Sequence, residues 1–184
     1  MRRADGVRGA FVGALGILVW AVLLVGLGAG EARAQTGQVG QKSGFPLPRF
    51  ASVKSQPVNF RVGPSRDHEV AWTFLRAGLP VEITQEFDIW FRVRDSEGQE
   101  GWVQQSFLSG KRTALVSPWA KAEPVPMYAR ADGQSLVARV EPNVLVDIER
   151  CDGRMCRVSV EKRSGWIEQS RLWGVYPNEK YPAD

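Results

Sequence analysis

This chain contains one segment twice, and that duplication limits what it can fold into. The stretch from Gly101 to Gly110, Gly-Trp-Val-Gln-Gln-Ser-Phe-Leu-Ser-Gly, returns from Gly165 to Gly174 as Gly-Trp-Ile-Glu-Gln-Ser-Arg-Leu-Trp-Gly. Upstream, Val81-Glu82-Ile83 matches Val146-Asp147-Ile148, and Arg92-Val93 matches Arg157-Val158. These upstream pairs are offset by 65 positions and the closing segments by 64, so a single residue of loop length separates the copies. A period near sixty residues is too long for a solenoid unit. It fits a duplicated small β-domain.

The N-terminus stands apart from both copies. Arg2, Arg3 and Arg8 precede an uncharged run from Gly9 to Gly30, rich in Leu, Val and Ala, and Ala32-Arg33-Ala34 follows. Small residues at both positions of that triplet read as a signal peptidase site, so residues 1–34 are expected to be a secretory signal peptide cleaved between Ala34 and Gln35. The alternative is an uncleaved anchor, since a run of this length can span a bilayer. No cysteine lies near the junction, which excludes a lipid-modified N-terminus. Cleavage removes four of the 24 Lys and Arg and two of the 20 Asp and Glu, leaving 20 and 18 and a net charge of +2. No run of five basic residues occurs, so nucleic acid is not an expected partner. The expected location is the periplasm, with membrane contact only through the signal segment before cleavage.

Both cysteines, Cys151 and Cys156, fall in the exported part, where a close pair is expected to form a disulfide. Asp152-Gly153 between them is a turn signal flanked by strand-like runs, which would set the cysteines facing each other across a hairpin. A loop this short stabilises by only about 2 kcal/mol in the chain-entropy account. Redox catalysis is the weaker reading, because the spacing is not Cys-x-x-Cys.

Residues 35–50 lack periodicity and read as a flexible leader. Val58 to Val62 alternates apolar and polar side chains and stops at Gly63-Pro64; Val81 to Ile83 and Phe91 to Arg94 show the same period of two. Short strands with turns every 8–12 residues predict an all-β small barrel or sandwich. The boundaries are 51–110 for the first domain, 111–124 for a proline-containing linker, 125–176 for the second domain and 177–184 for a tail. Each copy alone is near the size at which a single core is marginal, so the two are expected to pack, with Trp119 of the linker as the candidate at their interface.

Asn59-Phe60-Arg61-Val62-Gly63-Pro64, Trp90-Phe91-Arg92-Val93 and Gly101-Trp102-Val103 together resemble the Asn-x-Arg-x-Gly-Pro opening, Trp-x-x-Val strand and Gly-Trp-Val close of bacterial SH3 domains. The second copy resembles the companion domain of exported proteins with two tandem SH3 domains, carrying Cys151, Cys156-Arg157-Val158 and the Gly165 to Gly174 close. It departs from the pattern in having Pro126-Met127-Tyr128-Ala129-Arg130 for the opening and Met155 where that family usually has Trp. The resemblance implies two SH3-like, five- or six-stranded, partly open β-barrels with no catalytic machinery. It also implies binding of cell-wall peptides, such as those of peptidoglycan, or of an envelope protein.

By the same resemblance, Trp90 and Phe107 occupy the aromatic ligand groove, with Phe60 and Arg92 beside them. Alternation agrees for Trp90, which points away from the face shared by Phe91 and Val93. The competing role for Trp90 is packing between the two domains, and the competing role for the whole chain is that of a scaffold without a small ligand. Met155 and Arg171 stand at the groove positions of the second copy, so binding is expected only in the first. Trp102, Val103, Leu108, Ile83 and Val93, with Trp166, Ile167, Leu172, Ile148 and Val158, read as core. Asn59 and Arg61 are expected to tie down the opening turn, and Gly63, Gly101 and Gly165 to hold special backbone conformations. His68 is the one histidine and reads as a solvated loop residue. Glu82, Glu86, Asp88 and Asp95 lie close together in sequence and read as solvated too. No Gly-x-Ser-x-Gly, zinc-spaced cluster or phosphate loop is present, so no catalytic residue, metal or cofactor is expected.

Overall fold

The alternating segments become strands in a computed structural model, which describes residues 38–55 and 57–182. A short hairpin, β1 (Gln38–Val39) and β2 (Pro46–Leu47), leads into β3 (Arg49–Val53), β4 (Val58–Arg61), β5 (Val70–Phe74), β6 (Pro80–Phe87), β7 (Trp90–Arg94) and β8 (Glu100–Gln104). One 3-10 turn, Gln105–Phe107, and β9 (Leu108–Ser109) close this half. The second half holds β10 (Thr113–Val116), β11 (Val125–Tyr128), β12 (Leu136–Val140), β13 (Leu145–Asp152), β14 (Met155–Val160) and β15 (Arg163–Glu168). A matching 3-10 turn, Gln169–Arg171, then β16 (Leu172–Trp173) and β17 (Lys180–Tyr181) complete the chain.

The halves repeat strand for strand. The first sheet runs β5-β4-β8-β7-β6-β3-β9 and the second β12-β11-β15-β14-β13-β10-β16. All pairings are antiparallel, and even the irregularities recur. The register shifts at Phe60/Arg61 and Met127/Tyr128, and again at Ile83/Gln85 and Ile148/Arg150. Such bulges bend a strand and re-aim its side chains. Among the described residues no pairing joins the ends of either path. Each sheet wraps its own core, around Phe60, Ile83, Phe91 and Val103 in the first half and around Met127, Val146, Val158 and Ile167 in the second.

Several boundaries differ from the sequence reading, all for one reason. Residues 38–50 are not a flexible leader: they pair as β1 and β2, Leu47 enters the first core, and Phe50 sits within β3. Residues 113–116 are not linker but the first strand of the second sheet, the counterpart of β3. Lys180–Tyr181 of the presumed tail pairs with β13. These segments lack a long alternating pattern because strands of two to five residues are too short to show one. The expected signal peptide, residues 1–34, lies outside the described residues.

The disulfide forms as expected, Cys151 to Cys156 across a cross-strand pair. Gly153 takes the left-handed conformation at the hairpin tip (φ 102°), and Asp152 Oδ1 accepts from the N–H groups of Arg154 and Met155. Burial opposes ionisation of Asp152, but those two backbone donors prevail and lower its pKa.

Two glycines correct an expectation. Gly101 and Gly165 are absent from the left-handed residues, as is Gly63. They are needed for close approach instead. A Cβ on Gly101 would lie 2.9 Å from the Trp72 ring, and one on Gly165 would lie 2.8 Å from the Tyr128 carbonyl oxygen. The adjacent tryptophans therefore point outward. Trp102 is only half-buried, and Trp166, though buried, lies outside the second core and is covered by the Arg150 guanidinium 5.0 Å from its ring. Trp102 is thus not the core residue expected, whereas Trp166 is buried as expected but outside the main cluster.

The two sheets belong to one unit, but Trp119 does not join them; it is 57% exposed. The seam is made by Phe50 of β3, whose ring lies 5.3 Å from Trp173 and 4.7 Å from Tyr176. Thr113 Oγ1 donates to Gly78 O (2.6 Å), and the Tyr176 hydroxyl donates to Glu82 Oε1 (2.8 Å). Glu82 is 3% exposed and also accepts from Arg94 Nε (2.9 Å), so it is not a solvated loop acid. Burial, then the bond to Glu82, pushes the Tyr176 phenol far above its usual pKa and keeps it a donor.

Glu86 is likewise buried, not solvated. Its carboxylate accepts from the N–H groups of Lys42 and Ser43, from Ser43 Oγ (2.6 Å) and from Arg49 Nη2 (3.1 Å), clamping the β1–β2 hairpin onto β6. Burial works against its charge, yet the Ser43, Lys42 and Arg49 donors outweigh that and lower the pKa below 4.5.

Two measurements check this arrangement. Phe50→Ala should destabilise the protein by about 3 kcal/mol in denaturant unfolding, whereas Trp119→Ala should change stability by less than about 1 kcal/mol. Because the folded pKa of Glu86 is depressed, its contribution is complete above pH 4.5 and disappears as pH falls through the lower folded value. Acid titrations of stability should thus converge for wild type and Glu86→Gln at low pH and diverge at neutral pH.

Candidate functional site

Trp90 and Phe107 meet around one cavity of about 190 Å³ on the first half. Trp90 opens β7 on the outer side of the sheet, opposite Gln104 of β8, while Phe91 and Val93 fill the core. The 3-10 turn that follows β8 then carries Phe107 to the same place. Its N–H of Gln105 donates to Ile89 O (2.9 Å), fixing the turn against the β6–β7 hairpin. Trp90 forms a buried floor (7% exposed) and Phe107 an open wall (38% exposed). Trp90 is therefore both buried and part of the cavity lining.

The remaining lining comes from β4 and the loop after it. Asn59 and Arg61 alternate with the core residues Val58 and Phe60, so both face outward. Asn59 Oδ1 accepts from Thr73 Oγ1 of the neighbouring strand (2.8 Å). Arg61 Nη1 donates to His68 O (2.6 Å) and so ties down the Gly63–His68 loop, as expected of it. That loop, closed by Val62 N–H to Glu69 O (3.1 Å), brings Arg66 to the cavity rim. His68 is exposed, its ring against Gly63.

Two residues placed at the ligand surface by the sequence reading lie elsewhere. Phe60 is fully buried, stacked 5.4 Å from Trp72 and edge-on to Phe74, and is a core residue. Arg92 is exposed but pairs with Glu100 (2.5 Å) and does not line the cavity. Sequence reasoning missed Arg66 and Gln104. Gln104 was legible as the outward residue beside Val103, but nothing in the pattern of an irregular loop indicates where Arg66 returns.

The family model for the bacterial SH3 domain matches residues 54–110 and, again, 121–174. This chain belongs to that family. Both matched segments begin after the strand that opens each sheet, so each SH3 domain of this chain extends further upstream, to β3 and β10. No curated protein shows significant sequence similarity to it. Among solved structures it is similar to NlpC2 and NlpC1 from Trichomonas vaginalis, each 15% identical. The match to NlpC2 covers 68% of this chain and 48% of that one at a TM-score of 0.31, and the match to NlpC1 covers 73% and 48% at 0.30. A NlpC/P60 family protein from Bacillus cereus is 12% identical, with 74% and 59% covered and a TM-score of 0.31. The chain thus spans about half the length of these proteins, and likeness at this level carries no weight for activity.

The second SH3 domain has a different surface. Met155, at the Trp90 position, is 1% exposed, and Arg171 replaces Phe107. Its cleft, of about 510 Å³, lies instead between Trp119, Trp173 and Arg154.

The division between core and groove predicts opposite costs for two similar substitutions. Phe60→Ala should lower unfolding stability by about 3–5 kcal/mol, and Phe107→Ala by less than about 1 kcal/mol, in the same denaturant titration.

Proposed function

We propose that the first SH3 domain recognises cell-wall peptides, and that the protein is a non-catalytic periplasmic binding module. The observation that carries this reading is the convergence of Trp90, Phe107, Asn59 and Gln104 on one cavity. A flat ring pair supplies contact area at low entropy cost, and the two amides can pair with a peptide backbone. None of the described lining residues is a carboxylate, thiol, hydroxyl or imidazole, so the cavity offers neither nucleophile nor general base. Export rests on the charged, apolar and small-residue pattern of residues 1–34.

A scaffold role is the second reading, favoured by the burial of Trp90. It treats the cavity as a by-product of packing, and it leaves the open Phe107 ring without a purpose.

Binding to isolated sacculi separates the two. Phe107→Ala should reduce retention of the mature protein about tenfold, Trp90→Ala at least as much, and Arg92→Ala little. Retention that is indifferent to Phe107→Ala would sink the groove. Intact mass of the exported protein should correspond to a chain starting at Gln35.

A further inference from the structure

We infer that the groove of the first SH3 domain selects ligands bearing a carboxylate, that is, the acidic members of the peptide class proposed above. This rests on that reading of the site and adds the charge of its ligand. Arg61 and Arg66 both line the cavity, and no acid does among the described residues. The bond from Arg61 Nη1 to His68 O orients one guanidinium, and among the described residues its Nε and Nη2 have no partner. Arg66 is exposed and makes no ion pair with any described residue.

None of the neighbouring acids lines the cavity, the exposed Glu69 included. Asp67, next to Arg66, accepts from Ser65 Oγ through Oδ2 (3.0 Å), and Glu100 pairs with Arg92. The Asn59 carbonyl oxygen already accepts from Thr73, while its NH2 donates to no described residue. The wall of the cavity therefore carries two permanently charged donors, Arg61 and Arg66, and two side-chain amides, Asn59 and Gln104, beside two aromatic rings. A planar carboxylate accepts two parallel N–H bonds from a guanidinium fork, whereas a Lys or Arg side chain would meet like charge.

Calorimetric titration of the mature protein with a cell-wall stem tetrapeptide, as the free acid and with every carboxyl amidated, tests the inference. The free acid should bind at least about tenfold more tightly. Arg66→Gln should erase most of that preference while leaving the amidated peptide unchanged, and Arg66→Lys should retain part of it. Equal affinity of both forms, each weakened by Phe107→Ala, would overturn the charge selection and leave the groove standing. A preference for the free acid that Arg66→Gln does not alter would place the carboxylate elsewhere and overturn it as well. Binding of neither form would overturn both readings.

Discussion

The Glu82 carboxylate, buried at the seam of the two SH3 domains, sets the terms for the rest of the molecule. It receives hydrogen bonds from Arg94 of its own domain and from Tyr176 of the other, directly beside the aromatic contact of Phe50 with Trp173 and Tyr176. A buried carboxylate is tolerable only when its lone pairs are satisfied, so the seam needs both halves in place. Each sheet alone is small enough that its core leaves little margin. The seam supplies the missing burial and couples the two folds.

That coupling also decides which surface remains open. The seam occupies the outer side of β3 and β6 in the first domain, where Phe50 and Glu82 stand. The outer side of β4, β7 and β8 is left, and there Asn59, Arg61, Trp90 and Gln104 meet Phe107. Clamping the β1–β2 hairpin through Glu86 covers a further stretch of β6. The groove sits on the side of the domain that packing has not consumed.

Duplication preserved the backbone and released the surface. Strand order, pairing and both bulges recur in the second domain, yet Met155 and Arg171 replace the two groove aromatics. The shared register is enforced by inward residues and by glycines that permit strands to cross closely. Outward side chains are under no such constraint, which is why a fold held in common does not imply a shared ligand.

What the sequence determined by itself was the duplication, the all-β character and the disulfide hairpin. Those follow from local periodicity, from the copied Gly-Trp segments and from an Asp-Gly turn between two cysteines. Alternation also placed Trp90 on the side of its strand opposite the core residues Phe91 and Val93. Only the tertiary structure decided that Phe60 is core, that Glu82 and Glu86 are buried, and that Arg66 reaches the groove. It alone showed that residues 38–50 hold a hairpin and the start of β3, and that residues 113–116 are a strand of the second sheet. These depend on contacts between residues distant along the chain and on loop paths without period, and a pattern read over neighbouring residues carries no trace of either.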